Sequence, residues 1–519
     1  MTEHTDNPEI NRWIIAIAVM LSTFMEVLDT TVVNVSLPHI AGSLSATPDE
    51  ATWTLTSYLV ANAIILPMTG WLASRFGRKR LLMMAVSGFT TASFLCGFAP
   101  TLSALIVFRV IQGACGGGLQ PISQAVLLET FPPEERGKAM GFWGLGIVVA
   151  PMLGPVLGGW ITDSYSWRWV FYINVPVGIL ALTMTQLFVF DPPYLRRAGT
   201  RIDYWGIGFL ALGVASLQIV LDKGQEDDWF GSHFIVTLAV IAGVALTVFV
   251  IRELMTEHPV VDLRVFKVRT YSTGVFLMTL LGFGLYGGLV ILPLLLQTLL
   301  GYPALQAGIA MFPRGFGSFL MMPTVGALMM RFDARKMLSI GVFVTAISFM
   351  MLGMLNLEIG YWQVFWPQFI QGLAMGMVFV PLTTITMDPI PNERMGNATS
   401  IFNLMRNLGG SMGIAASTTL VARREQTYFN LLGRHVNPYN LRSQTLANDL
   451  RQMFFMKGAD WATASARADD FLFRMVEQHS AMLAYNATFW TLAAIFIVMW
   501  PFIFLMKKPR TRPGGLSAH

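Results

Sequence analysis

Apolar stretches of about twenty residues recur along the whole chain, separated by short polar turns. An α-helix rising about 1.5 Å per residue needs about that length to cross ~30 Å of hydrocarbon. In lipid every backbone N–H and C=O must be bonded within the protein, which leaves helices and closed barrels. Runs this long are helical, since barrel strands need only about 9–11 residues. We read fourteen spans, at 13–36, 51–72, 80–99, 102–128, 138–161, 168–190, 203–221, 233–252, 271–299, 305–330, 337–356, 361–387, 397–421 and 480–506. Only 13% of the residues are charged, against roughly 25% in soluble domains. The expected fold is an all-α, polytopic membrane protein.

Basic residues orient it. The segments at 75–80, 136–138, 196–201, 252–269, 331–336 and 507–512, with Arg12 and Arg394, hold 22 Lys and Arg, while the short loops on the other side hold Lys223. By the positive-inside rule both termini are cytoplasmic. Residues 1–12 are polar and the first apolar run is long enough to stay in the membrane, so no cleaved signal peptide is expected. The long segment 422–479 carries both signs of charge, with Leu450, Met453 and Phe454, then Phe471, Leu472 and Met475, at helical spacing. It is expected to form helices outside the membrane. Cys96 and Cys115 lie in apolar segments and are expected to pack as small residues without a disulfide.

The chain repeats itself. Gly70–Arg80 is similar to Gly326–Lys336 at an offset of 256, Ile111-Gln112-Gly113 recurs as Ile370-Gln371-Gly372 at 259, and Glu135-Arg136 recurs as Glu393-Arg394 at 258. Near-constant offsets mean two related halves of six helices, 13–190 and 271–506, the second including the 422–479 loop. The two helices of 203–252 are inserted between them. A ligand site at the interface of such repeats, near the midplane, is a transporter arrangement.

Two carboxylates fall where hydrocarbon is expected: Glu26 and Asp29, in the first span. Ionisable groups at that depth are costly and mark functional positions. At 100° per residue they share a helix face with Thr30, Val33 and Asn34. Arg109, in the fourth span, lies about seven residues from its outer end, as does Asp29, so both sit about 10–12 Å below the surface. We expect Asp29 within polar reach of Arg109, both lining water. Burial raises a carboxyl pKa and a nearby cation lowers it, so such a site can be tuned for proton exchange. Contact with cationic substrates and hydrogen bonding within the bundle are the alternatives for Glu26; a purely structural bridge is the alternative for Asp29 and Arg109. Arg314 and Arg406 are further buried charges without an evident carboxylate in their half, so each is expected to bond carbonyls or face the cavity.

Several segments carry a family resemblance. Gly70-Trp71-Leu72-Ala73-Ser74-Arg75-Phe76-Gly77-Arg78-Lys79-Arg80 resembles the cytoplasmic loop motif of the major facilitator superfamily, with Ser74 where the family usually has Asp. Leu105–Gly113, containing Arg109, resembles its helix-four motif. Gly146–Gly159 resembles its helix-five antiporter motif, whose small residues are expected to let this helix pack against the other half. Leu28–Pro38 and Trp167–Gly178 look like the helix-one and helix-six signatures of the fourteen-helix drug:proton antiporters. Phe402–Ser411 and the long outer loop look like the EmrB type of that EmrB/QacA family.

The resemblance implies a proton-driven multidrug efflux antiporter in the bacterial inner membrane, exporting hydrophobic or amphiphilic compounds. An EmrA-type periplasmic adaptor and a TolC-type outer-membrane channel are its implied partners. Export of one natural metabolite, such as a siderophore or fatty acid, is the alternative, and a non-transporting sensor or scaffold a third reading. Asp29, Glu26 and Arg109 are assigned to proton coupling. The superfamily's cavity helices nominate Asn34, Asn62, Gln112, Gln120, Tyr286, Gln297, Gln368, Gln371, Met375, Asn403 and Arg406 as cavity residues. Gly70, Arg75, Gly77, Arg78, Gly154, Pro155, Gly158 and Gly159 are gating residues. There is no phosphate-cradling Gly-rich loop and no His or Cys cluster. No cofactor, metal, nucleic acid or enzymatic centre is expected, and the proton gradient is the energy source. The histidines fall at ends or in loops, His39 at the outer mouth of the first span.

Overall fold

A computed structural model describes residues 11–191, 203–257, 259–329, 331–437 and 439–506. The basic segments at 196–201 and 507–512, His4, His258, His519 and the side chain of Pro155 lie outside the described residues.

The first half is built from α1 (Arg12–Ser43), α2 (Pro48–Phe76), α3 (Arg78–Phe98), α4 (Leu102–Gly116), α5 (Leu119–Thr130), α6 (Arg136–Ser164), α7 (Trp169–Tyr172) and α8 (Asn174–Phe188). Two spans expected to be continuous are broken. Pro121 has no N–H for the carbonyl of Gly117, and the Gly116-Gly117-Gly118 run has little helical propensity, so α4 ends and α5 restarts. Pro176 likewise has no N–H for the carbonyl of Tyr172, and α7 and α8 meet at Ile173.

After α9 (Tyr204–Lys223) and α10 (His233–Met255) comes the second half: α11 (Arg269–Leu294), α12 (Ala304–Leu328), α13 (Ala334–Leu352), α14 (Tyr361–Met387), α15 (Met395–Gly433), α16 (Leu441–Met456) and α17 (Trp461–Phe502). Pro293 precedes a π-helical turn, Leu295–Leu299, that ends the α11 span. Among the described residues, twelve helices are long and apolar enough to cross a membrane. α12 and α15 are two further long helices packed into the same bundle.

The two halves repeat one packing scheme. α1 packs on α6 and α8 as α11 packs on α15 and α17; α2 packs on α4 as α12 does on α14; α3 packs on α4 and α8 as α13 does on α14 and α17. The halves meet along α2 with α15 and α6 with α12. Glycines allow that approach at the end bearing the basic loops. A Cβ on Gly70 would lie 2.6 Å from the Asn397 Cα, one on Gly326 2.7 Å from the Lys138 Cα, and one on Gly141 2.5 Å from the Met322 carbonyl.

The inserted pair, α9 and α10, lies against this seam, with α9 touching both α2 and α15. Asp222 bonds Thr56 of α2, while Gln218 Nε2 donates to Ser411 Oγ of α15 at 2.9 Å. At the other end of α9, Asp203 accepts from Arg252 Nη2 at 2.7 Å and from the Gly206 amide at 3.0 Å. Burial opposes ionisation of Asp203, but these bonds outweigh it and hold the carboxyl below its ordinary range.

α15 and α17 run well past the expected spans and carry the segment 422–479 as continuous rods, with α16 folded between them. Phe429 and Phe473 stack edge to face at 5.4 Å, and Ala447, Leu450, Ala468 and Leu472 form a small apolar core. A helix leaving lipid needs no break, because its backbone is already satisfied, and this stretch of α17 contains neither Gly nor Pro before Pro501.

Candidate functional site

Asp29 projects from α1 into the first half. Oδ2 accepts from Arg109 Nη1 at 2.6 Å, and Oδ1 accepts from Gln112 Nε2 at 2.9 Å and Asn174 Nδ2 at 2.7 Å. Arg109 also donates from Nε to the Thr54 carbonyl at 3.0 Å and from Nη1 to Gln112 Oε1 at 2.7 Å, and lies 4.2 Å over the Tyr58 ring. Asn174 reaches Ser93 Oγ at 3.0 Å. The cluster therefore ties α1, α2, α3, α4 and α8 together. Asp29 and Arg109 are both fully buried, so neither lines water, contrary to expectation. The reason is local: three helices close over a pair that matched depth on two helices had brought together. Gln112, expected in the cavity, belongs to this sealed cluster. Asn174, Ser93 and Tyr58 were missing from the nominated set, although Asn174 stands inside the Trp167–Gly178 signature.

Glu26, one turn nearer the basic end, has a different environment. Oε1 accepts from Asn62 Nδ2 at 3.0 Å. Oε2 receives no hydrogen bond of normal length and angle among the described residues, although Gln120 and Arg406 stand close enough to interact with the carboxylate. Gln120 Oε1 accepts from Arg406 Nη2, a bond from one half to the other. Below it, Asn403 Nδ2 donates to Gln124 Oε1 at 2.6 Å and Thr399 Oγ1 to the Pro121 carbonyl at 3.1 Å. Beside them Trp143, bonded through Nε1 to Thr23, stacks on Phe379 of the second half. Glu26 thus stands above a floor of polar and aromatic contacts that joins the halves on the basic side.

The Major Facilitator Superfamily profile matches residues 19–414 of this chain, whose halves repeat one packing scheme with buried charges at their junction. The chain belongs to the major facilitator superfamily. Its relatives include "Multidrug export protein EmrB" of Haemophilus influenzae, 40% identical over 96% of this chain and 96% of the relative. EmrB of Escherichia coli K12 is 37% identical over 97% and 96%, and "Fatty acid resistance protein FarB" of Neisseria gonorrhoeae is 38% identical over 96% and 97%. Among solved structures, the proton:xylose symporter XylE superposes with a TM-score of 0.62 at 16% identity, covering 95% of each chain. That similarity concerns the fold. The superfamily consists of transporters, and the protein is a multi-pass membrane transporter of the EmrB type, not an enzyme.

Within the superfamily's loop motif, Gly77 adopts φ +87°, where a Cβ would press on the Asp191 carboxylate. The adjacent Arg78 is buried in an ion pair with Glu129 of α5 and reaches the Asn392 carbonyl of the other half at 3.5 Å. Arg136 approaches Asn392 Oδ1 at 3.4 Å. Arg75 lies over the Trp71 ring at 5.8 Å, and Ser74 donates to the Trp71 carbonyl, within its own helix. Arg78 thus draws its carboxylate from α5.

The helix bearing the helix-five motif packs on α12 of the other half, as expected, and its Met152 meets Gly315 there, but the motif's own glycines Gly154 and Gly158 do not make that contact. Gly154 and Gly158 are four residues apart on one face, and that face meets α1 of the same half: their Cβ positions would lie 2.2 Å from Thr31 Oγ1 and 2.9 Å from the Val32 carbonyl. Gly159, rotated off that face, has open space around it. The glycines of α6 that meet the other half are Gly137, Gly141 and Gly144.

Of the other nominated cavity residues, Asn34 and Gln297 are exposed, while Gln368, Gln371 and Met375 are buried in α14. Tyr286 is half-buried, its ring against Gly410. Gln120, Asn403 and Arg406 meet across the halves, and Asn62 meets Glu26.

Proposed function

We propose that the protein is a proton-driven multidrug efflux antiporter, exporting hydrophobic or amphiphilic compounds by alternating access. Fourteen spans, with α12 and α15 completing the twelve, would put both termini in the cytoplasm of a bacterial cell and the α15–α17 extension on the outer side of the inner membrane. The observation carrying this reading is Glu26. It is a carboxylate at hydrocarbon depth, between the halves, with one oxygen bonded by Asn62 and the other facing Gln120 and Arg406 without a hydrogen bond of normal length and angle among the described residues. The names of the relatives at 37–40% identity support the export direction. We assign proton exchange to Glu26 and give the Asp29–Arg109 cluster the task of holding the first half rigid around it. The energy source is the proton gradient, with no cofactor.

Purified protein in proteoliposomes should release protons when a transported compound such as a lipophilic dye is added, and a proton gradient should drive that compound uphill. Silence toward a broad panel of amphiphiles would sink the multidrug reading. Response to a single compound would instead favour a dedicated exporter, the reading that the fatty-acid-resistance relative supports.

The helical extension suits an adaptor of the EmrA type, with a TolC-type channel beyond it. It projects Tyr439, Leu441, Phe455, Met456 and Trp461 into solvent. Replacing residues 434–460 by a short flexible linker should abolish resistance in whole cells yet leave gradient-driven transport in proteoliposomes unchanged. Full resistance in cells would refute the docking role.

A further inference from the structure

Arg314 of α12 is a charge that the arrangement above leaves unused. It is 7% exposed. No carboxylate pairs with it and no hydrogen bond reaches its guanidinium from the described residues. It lies beside the seam with the first half: the adjacent Gly315 packs on Met152 of α6, the Arg314 carbonyl meets Gly372 of α14, and Tyr286 of α11 lies within electrostatic range. An unpaired guanidinium buried at hydrocarbon depth is costly unless something satisfies it. The surrounding charges do not. Asp29 and Arg109 neutralise each other, which leaves Glu26 against Arg406 and Arg314, an excess of positive charge between the halves whether or not Glu26 is protonated.

We propose that Arg314 anchors the anionic head of amphiphilic substrates, whose apolar tails lie along the Met- and aromatic-bearing walls near Met152 and Tyr286. The proposal rests on the export reading above and adds its substrate class. A guanidinium offers a planar fork that matches a carboxylate, sulfonate or phosphate with two parallel hydrogen bonds, and it is weakly hydrated enough to wait in an apolar wall. Soft, repackable side chains around the tail tolerate different chain shapes.

The test uses decanesulfonate and decyltrimethylammonium, which share a tail and carry permanent opposite charges, binding to the full chain in nanodiscs. Arg314→Gln should weaken decanesulfonate by about tenfold or more and leave decyltrimethylammonium within about twofold. Arg314→Lys, which keeps the charge and loses the fork, should fall between and guards against a folding defect in the first variant. Equal loss for both probes would show a structural role and overturn the proposal, as would no loss of decanesulfonate in either variant. If the wild type binds the cation alone and exports it, the anion proposal fails and the export reading stands. If it neither binds nor exports either probe, both fail.

Discussion

Glu26→Gln is expected to stop proton-driven export while leaving the protein folded and able to bind substrate. The amide is nearly isosteric with the carboxyl and can still accept the hydrogen bond that Asn62 now gives to Oε1. What it removes is the exchangeable proton and the charge facing Gln120 and Arg406. A transporter that has lost its proton site but kept its cavity should still exchange labelled for unlabelled substrate across a membrane with no proton gradient. Gradient-driven uptake in inverted vesicles should drop to the level of empty vesicles, and substrate-induced proton release should vanish with it. Glu26→Asp, which retracts the carboxyl by one methylene, should keep a measurable part of both. Wild-type uptake and proton release in Glu26→Gln would remove Glu26 from the coupling scheme. The antiport reading would then need another proton-exchanging group, and Asp29, held by three donors inside a sealed cluster, is a poor substitute on the geometry.

The parts of this architecture that a linear reading recovers are those set by fixed local geometry. Helix rise is constant, so counting residues from the outer ends of two spans placed Asp29 and Arg109 at one depth, and their 2.6 Å pair follows. The half-repeat was legible because Gly70–Arg80, Gln112-Gly113 and Glu135-Arg136 recur at nearly the same offset, 256 to 259 residues. What a single sequence does not carry is the azimuth of a helix against its neighbours. Gly154 and Gly158 could face α1 or α12, and only packing decides for α1. Gln112 could face the cavity or Asp29, and Asn174 of α8 closes the network only once α8 lies beside α1. Helix ends were missed for a different reason. Pro121 and Pro176 were visible signals for a break, but unbroken hydropathy hid them. The charged stretch after 421 ends the apolar run but not the helix, which continues to Gly433.

Asp29→Ala should unfold the protein more readily, and this separates a structural from a coupling role for the buried pair. Removing the carboxylate leaves the Arg109 guanidinium fully buried, with the Thr54 carbonyl, Gln112 and the Tyr58 face as its remaining support. Breaking a buried pair by deleting one partner costs about 3–5 kcal/mol, because an uncompensated charge is left in a low-dielectric interior. The freed amides of Gln112 and Asn174 add to that cost, since each loses its acceptor on Asp29. Thermal unfolding of the purified variant in detergent should therefore shift down strongly. The double change Asp29→Ala with Arg109→Met removes both charges and refills the space, so it should recover much of the lost stability. A double-mutant cycle on unfolding midpoints isolates that coupling. If Asp29→Ala instead melts like the wild type and loses only gradient-driven export, the pair is not the scaffold of the first half. Asp29 would then carry the proton itself, which requires the seal formed by Arg109, Gln112 and Asn174 to open during each transport cycle.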